Sequence, residues 1–157
     1  AAEWHFIGGL QSNKVKYLAG KVAMIHSVDR LSLAKEIDRQ WGKLNSSVDI
    51  LVQVNLGEEE TKSGTTADEL VALVSQVARL NHLRIRGLMT LPPWHEDPET
   101  VRPYFRQLKE LAQQVEALGL PNVNMAELSM GMSHDFAAAI EEGATMVRIG
   151  TAIFGAR

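Results

Sequence analysis

Asp49-Ile50-Leu51-Val52-Gln53-Val54 decides how this chain folds. Four of its six side chains are apolar and three are β-branched, so the run reads as a buried strand. A loop over 55–65 follows, carrying Gly57 and Gly64. Thr66-Ala67-Asp68-Glu69 then forms a capping box, and Leu70, Leu73, Val74 and Val77 share one face of the helix behind it. Arg84 to Thr90 is the next strand candidate, closed by Pro92-Pro93. Two buried strands joined by a helical crossover lie parallel, with the helix covering one face of the sheet.

The same alternation continues in both directions. Towards the N-terminus, Trp4-His5-Phe6-Ile7 is a strand that ends at Gly8-Gly9, and Ser12 can cap a helix carrying Val15, Leu18 and Ala19. Met24 to Val28 is a strand, and Asp29 is a good N-cap for the helix with Leu33, Ala34 and Ile37. Towards the C-terminus, the longest helix runs from about Pro98 to Leu118, with Pro103 in its first turn and Gly119 and Pro121 stopping it. Met125 to Ser129 reads as a short strand, Ser133 to Glu142 as a short helix closed by Gly143, and Thr145 to Ile149 as the last strand. Six strands and five intervening helices make an α/β chain with a parallel sheet. An open doubly wound sheet suits 157 residues. A (β/α)8 barrel typically takes about 250 residues.

Composition sets the outer bounds. With 45% apolar and 22% charged residues the 157 residues are globular and of one-domain size. Sixteen basic against 19 acidic residues give a net charge of −3, so no basic excess points to nucleic acid or an anionic membrane. Cysteine is absent, which excludes a disulfide framework, a thiolate metal site and a cysteine nucleophile, and is compatible with a cytoplasmic setting. No apolar run approaches the roughly 20 residues of a membrane span. The start, Ala1-Ala2-Glu3-Trp4, has neither an initiator Met nor a basic-then-apolar signal.

Ligands of parallel α/β proteins bind at the carboxyl ends of the strands, so the segments after each strand carry the chemistry. Two stand out. Ser129-Met130-Gly131-Met132-Ser133-His134-Asp135 offers hydroxyls, a glycine and the free amides of a helix start, and Gly150-Thr151 follows the final strand in the same way. Backbone N–H groups and a helix dipole favour a phosphate there. The alternative is that Ser133 only caps its helix and Gly150 only turns the chain. Arg148 lies between Val147 and Ile149, so alternation points it away from them, and a charge near a strand's end needs an acceptor or an anion. A structural ion pair and a ligand contact both meet that need.

The five histidines show no metal-ligand spacing. His5 and His26 read as satisfied core residues, His82 and His95 as loop residues, and His134 with Asp135 as helix-start chemistry. Glu58-Glu59-Glu60 reads as a solvated loop. Met130 and Met132 either fill the core or line an apolar wall. There is no G-x-S-x-G, P-loop or G-x-G-x-x-G string.

Longer strings carry a resemblance. Trp4-His5-Phe6-Ile7-Gly8-Gly9-Leu10-Gln11-Ser12-Asn13-Lys14 resembles the signature of the YggS/PROSC family of pyridoxal phosphate (PLP) binding proteins. Gln53-Val54-Asn55 with Lys62-Ser63-Gly64, Arg86-Gly87-Leu88-Met89-Thr90, and Leu128-Ser129-Met130-Gly131-Met132-Ser133 resemble the same family in the same order. Met146-Val147-Arg148-Ile149-Gly150-Thr151-Ala152-Ile153-Phe154-Gly155 completes the match over essentially the whole chain.

The resemblance implies a (β/α)8 TIM barrel of alanine racemase N-terminal-domain type, against the length argument. It implies PLP binding and PLP homeostasis, in a cytoplasmic setting and without a firm catalytic activity. It maps the PLP phosphate onto Ser133 and the amides of Gly150 and Thr151, with Met132 nearby, and sets Arg148 against the pyridine nitrogen. It also implies a departure. The family's Schiff-base lysine lies on its first strand in a Val-Ser-Lys-type string, and the lysines here (14, 16, 21, 35, 43, 62 and 109) offer no such context. The 157 residues are therefore expected to be one partial barrel of about six βα units, strands three to eight. Such a chain holds PLP, or another small phosphate or anion, non-covalently at most, and self-associates through exposed edges. A PLP-dependent racemase-like enzyme, a PLP-independent phosphosugar enzyme and an inert truncated or engineered barrel fragment are the alternatives.

Overall fold

Six parallel strands lie in one sheet in the order of the chain, with every crossover moving one place in the same direction. The structure is a computed structural model and describes residues 1–57 and 63–156. The strands are β1 (His5–Phe6), β2 (Met24–Val28), β3 (Val48–Val54), β4 (Leu83–Thr90), β5 (Val123–Met132) and β6 (Met146–Arg148). The helices are α1 (Leu31–Lys43), α2 (Leu70–Val77), α3 (Arg102–Ala117), α4 (Phe136–Glu141) and α5 (Thr151–Phe154), with short 3-10 turns at Ser12–Tyr17 and Pro98–Thr100. The strand order never reverses. A doubly wound sheet needs such a reversal to create its binding crevice. The order seen here is that of a barrel wall, so the doubly wound sheet that chain length favoured is not formed.

The two faces of this wall differ in chemistry. Ile25, Ile50, Val52, Val54, Ile85, Leu88, Leu128 and Met130 face outward and pack with Leu33, Ile37, Trp41, Leu70, Val74, Phe105, Leu108 and Val115 of the helices. This layer holds most of the buried apolar surface, and Trp41 and Phe105 are its largest side chains. Met24, Leu51 and Met89 form a separate cluster on the inner face, against Leu91 and Met146. His5, His26, Gln53, Ser129 and Arg148 share that inner face by alternation along their strands. The inner wall thus sets apolar and polar side chains side by side, with Met24 opposite His5 and Met89 between Gln53 and Ser129.

Several boundaries move from their sequence positions. Asp29 does not cap α1. Its carboxylate instead accepts the Gly64 N–H at 3.0 Å and an Arg30 guanidinium hydrogen at 2.9 Å, joining the rims above β2 and β3. Half of the capping box forms, with Thr66 Oγ1 accepting the Glu69 N–H at 3.2 Å, and regular helix begins at Leu70. The segment after Ser12 is a 3-10 turn without a side-chain cap. β5 runs on to Met132, because Ser129 and Met132 pair with Met146 and Arg148 of β6. Glu58-Glu59-Glu60 and Lys62 lie outside the described residues.

Two features hold β5 in place. Gly87 has φ +159, and a Cβ there would run into the Glu127 carbonyl oxygen, so β4 and β5 approach only because Gly87 has no side chain. On the outside, Arg102 of α3 reaches Glu141 at 2.9 Å and Arg106 reaches Glu142 at 2.8 Å, tying α3 to α4 beneath the rim.

Candidate functional site

The carboxyl ends of β4, β5 and β6 enclose a cavity of about 720 Å³. All five residues singled out in the sequence line it: Met132, Ser133, Arg148, Gly150 and Thr151. Each arrives by a definable route. Met132 is the last residue of β5, and its N–H is held at 2.8 Å by the Asp135 carboxylate, which folds 132–135 into a tight turn. Gly131 has φ +101, and a Cβ there would stand 2.7 Å from the Ala139 Cβ, so glycine lets α4 close directly onto the strand.

Ser133 is not the cap of α4. Its Oγ accepts the N–H groups of Gly150 at 3.0 Å and Ala152 at 3.2 Å, seventeen and nineteen positions away. The hydroxyl therefore gathers the first amides after β6 around one oxygen. Thr151 opens α5 beside them.

Arg148 resolves the choice left open above in favour of neither simple form. Its Nη2 donates to the Thr90 carbonyl at 3.2 Å, not to a carboxylate. Its Nε is buried without a hydrogen-bond partner. Burial pulls the guanidinium below its ordinary value and the Asp135 charge opposes that, but arginine stays protonated throughout the physiological range. A buried donor without a partner is costly until an acceptor meets it. Trp94, which sequence reasoning did not place here, and His134, from the segment after β5, also line the cavity. Their rings stack with centroids 5.3 Å apart, and His134 Nε2 lies 2.7 Å from the Glu96 carbonyl, so the loop after β4 folds over the mouth. The signal for Trp94 was its place two residues after the Pro92 that leaves a strand end.

The profile of the alanine racemase N-terminal domain family matches residues 1–157. The pyridoxal phosphate homeostasis protein of Aquifex aeolicus is 55% identical over 155 residues, which cover 99% of this chain and 67% of that protein. The chain belongs to the pyridoxal phosphate homeostasis protein family. PipY of Synechococcus elongatus, solved with PLP bound, is 37% identical with a TM-score of 0.88, over 98% of this chain and 70% of PipY. Alanine racemase of Clostridium difficile shares the fold at a TM-score of 0.82 and 16% identity, over 100% of this chain and 40% of the racemase. The chain spans about two thirds of the curated relatives it matches, and supplies about six βα units of their barrel.

Within this family fold, the first of the resembling strings stands away from the cavity. Gly9, Gln11, Lys14 and Tyr17 border a second, more open hollow of about 670 Å³ near Arg30, whose Nη2 donates to the Leu10 carbonyl at 2.9 Å. His26 is a satisfied core histidine, buried with a partner at each ring nitrogen, while His5 is half-buried: His5 Nδ1 and His26 Nε2 lie 2.9 Å apart, and His26 Nδ1 lies 2.9 Å from the Ser129 hydroxyl. Burial, with the His5 ring and the Arg148 guanidinium adding to it, pushes His26 down to about 4, so it is neutral at physiological pH. Among the described residues no group of acidic and histidine side chains is placed to hold a metal. No helix among them is long and apolar enough to cross a membrane.

Proposed function

We propose that this chain binds pyridoxal 5′-phosphate in the cavity above β4, β5 and β6 and takes part in holding and handing over that cofactor, in a cytoplasmic setting. Ser133 with the amides of Gly150 and Thr151 would receive the phosphate, and Met132 would line the pocket beside it. Arg148 would face the ring nitrogen. The observation that carries this reading is Arg148 in the cavity lining with its Nε buried and without a hydrogen-bond partner, a donor that an acceptor nitrogen would satisfy.

The residues fit the cofactor at both ends, a donor cluster for the anion and a cationic donor for the ring. When bound, PLP supplies an electron sink for amine chemistry. A guanidinium only donates hydrogen bonds, so Arg148 holds the ring nitrogen unprotonated and weakens that sink. This favours carrying the cofactor over transamination. The cavity lining contains no lysine or tyrosine among the described residues, so association here rests on non-covalent contacts. The names of the homeostasis relatives and the PLP-bound PipY support the reading.

The test is titration with PLP followed by visible spectroscopy, with borohydride trapping and mass analysis. Saturable binding without a covalent adduct is expected. A stable adduct at one specific lysine, or no saturation at all, overturns the proposal.

A further inference from the structure

Four side chains from three strands and the N-terminal segment form one hydrogen-bonded line across the inner wall: Glu3, His5, His26 and Ser129. Glu3 Oε1 lies 3.3 Å from His5 Nε2, His5 Nδ1 lies 2.9 Å from His26 Nε2, and His26 Nδ1 lies 2.9 Å from Ser129 Oγ. The chemistry of the ends sets the direction of every hydrogen in it. A carboxylate only accepts, so His5 Nε2 carries a hydrogen towards Glu3. In neutral His5, Nδ1 is then an acceptor, so His26 Nε2 donates to it. His26 Nδ1 is left as an acceptor and receives the Ser129 hydroxyl hydrogen.

We propose that His5, His26 and Ser129 are a proton relay linking the Glu3 edge of the sheet to the inner wall beside Arg148. A proton delivered to Ser129 Oγ from the inner wall is matched by transfer of its own hydrogen to His26 Nδ1. The His26 Nε2 hydrogen passes to His5 Nδ1 in the same step. His5 becomes an imidazolium facing the Glu3 carboxylate, His26 ends neutral with its tautomer inverted, and only N–H and O–H bonds are exchanged. The reverse sequence brings a proton inward. His26 is suited to the middle position because it is buried and stands beside a fixed cation, which keep it from holding the charge itself.

The charged groups acting on His26 are the His5 ring on β1 and the Arg148 guanidinium on β6, while β5 offers the neutral Ser129 hydroxyl. Asp49 on β3 and Arg84 on β4 lie at the amino ends of their strands and pair with each other at 2.7 Å, and Arg86 is the other ionisable residue of β4. The relay stands on these side chains alone and does not depend on what fills the cavity.

The experiment is long-range ¹H–¹⁵N correlation spectroscopy of the histidine-labelled chain between about pH 8 and 5, the range in which histidine ordinarily titrates. His5→Gln and His26→Gln spectra assign the signals. The expected result is His26 as the Nε2–H tautomer at the high end, inverting to Nδ1–H in step with the protonation of His5 and remaining neutral. In Ser129→Ala both tautomers of His26 lose their inner partner, so the His26 Nδ1 signal moves at both ends of the pH range. A His26 whose tautomer stays constant while His5 titrates overturns the proposal. So does a His26 Nδ1 signal unmoved in a folded Ser129→Ala chain.

Discussion

Ser133 Oγ accepts the Gly150 N–H at 3.0 Å, which joins the turn after β5 to the end of β6 through a single oxygen. That contact, with Ala152 beside it at 3.2 Å, holds the first amides after β6 together. Ser133→Ala is expected to weaken PLP binding by about tenfold, which corresponds to about 1.4 kcal/mol. The amides it frees stand at an exposed rim and can take water, so stability should change by less than about 1 kcal/mol. Equilibrium titration and thermal melting of the same samples separate the two effects. A variant that loses melting temperature and affinity together would show Ser133 to be scaffolding only.

Arg148 acts on the cavity and on His26 at once. Replacing it by Met removes the buried guanidinium, leaves the Thr90 carbonyl without its 3.2 Å donor and takes a cation away from the imidazole. PLP affinity should fall at least about tenfold. The His26 midpoint should rise from about 4 part of the way towards 6.5, and not all of it, because burial is the larger cause. NMR titration of the histidines measures the second effect independently of the first. An unmoved midpoint would mean that Arg148 does not reach His26 electrostatically.

What could be read from residues alone follows the range of the interaction concerned. Strand and helix order was legible because apolar runs such as Ile50 to Val54 and faces such as Leu70, Leu73, Val74 and Val77 differ in period over a few residues. The barrel-wall strand order was not, since chain length argued the other way and only the longer strings of the resemblance opposed it. The five cavity residues were legible as strand-end positions. The partnership of Ser133 with Gly150 and Ala152 was not, because those groups lie seventeen and nineteen positions apart and meet through tertiary packing. The His5–His26 pair was hidden for the same reason: it depends on the parallel register that sets His5 opposite Met24, which no local spacing encodes. Asp29 misled because a good cap residue found tertiary partners in Gly64 and Arg30 instead.

Gly87 offers a test of the sheet itself. Its φ of +159 lies at the edge of the region side chains rarely adopt, and the sharper constraint is the Glu127 carbonyl oxygen where a Cβ would stand. Gly87→Ala should therefore push β4 and β5 apart and cost about 3 kcal/mol or more. Urea unfolding gives the figure. A loss under about 1 kcal/mol would mean that the strands separate easily, and the rim they carry is then less rigid than the contact indicates.

β1 and β6 each pair on one side only among the described residues. Both are short, which limits pairing with another chain but leaves unpaired backbone groups beside the exposed Ile7. Sedimentation velocity should show self-association that grows with concentration, and Ile7→Lys should reduce it by placing a charge beside β1. A monomer at all concentrations would rule out edge pairing.

The neutral state of His26 makes stability depend on pH in a definite direction. Its folded value of about 4 lies below its ordinary 6.5, so between these limits the unfolded chain binds the proton and the folded chain does not. Protons therefore favour unfolding across that window. The contribution of His26 is complete above about pH 6.5 and falls as the pH drops towards 4. At about 1.4 kcal/mol per unit the gap amounts to about 3 kcal/mol. His26→Gln has no ionisation to lose, and its unfolding free energy should decline less than that of the parent between about pH 7 and 4. Denaturant melts at half-unit pH steps compare the two slopes. Parallel curves would show that His26 takes up its proton equally in the folded and unfolded chains, and that the buried line from His5 to Ser129 does not hold it neutral.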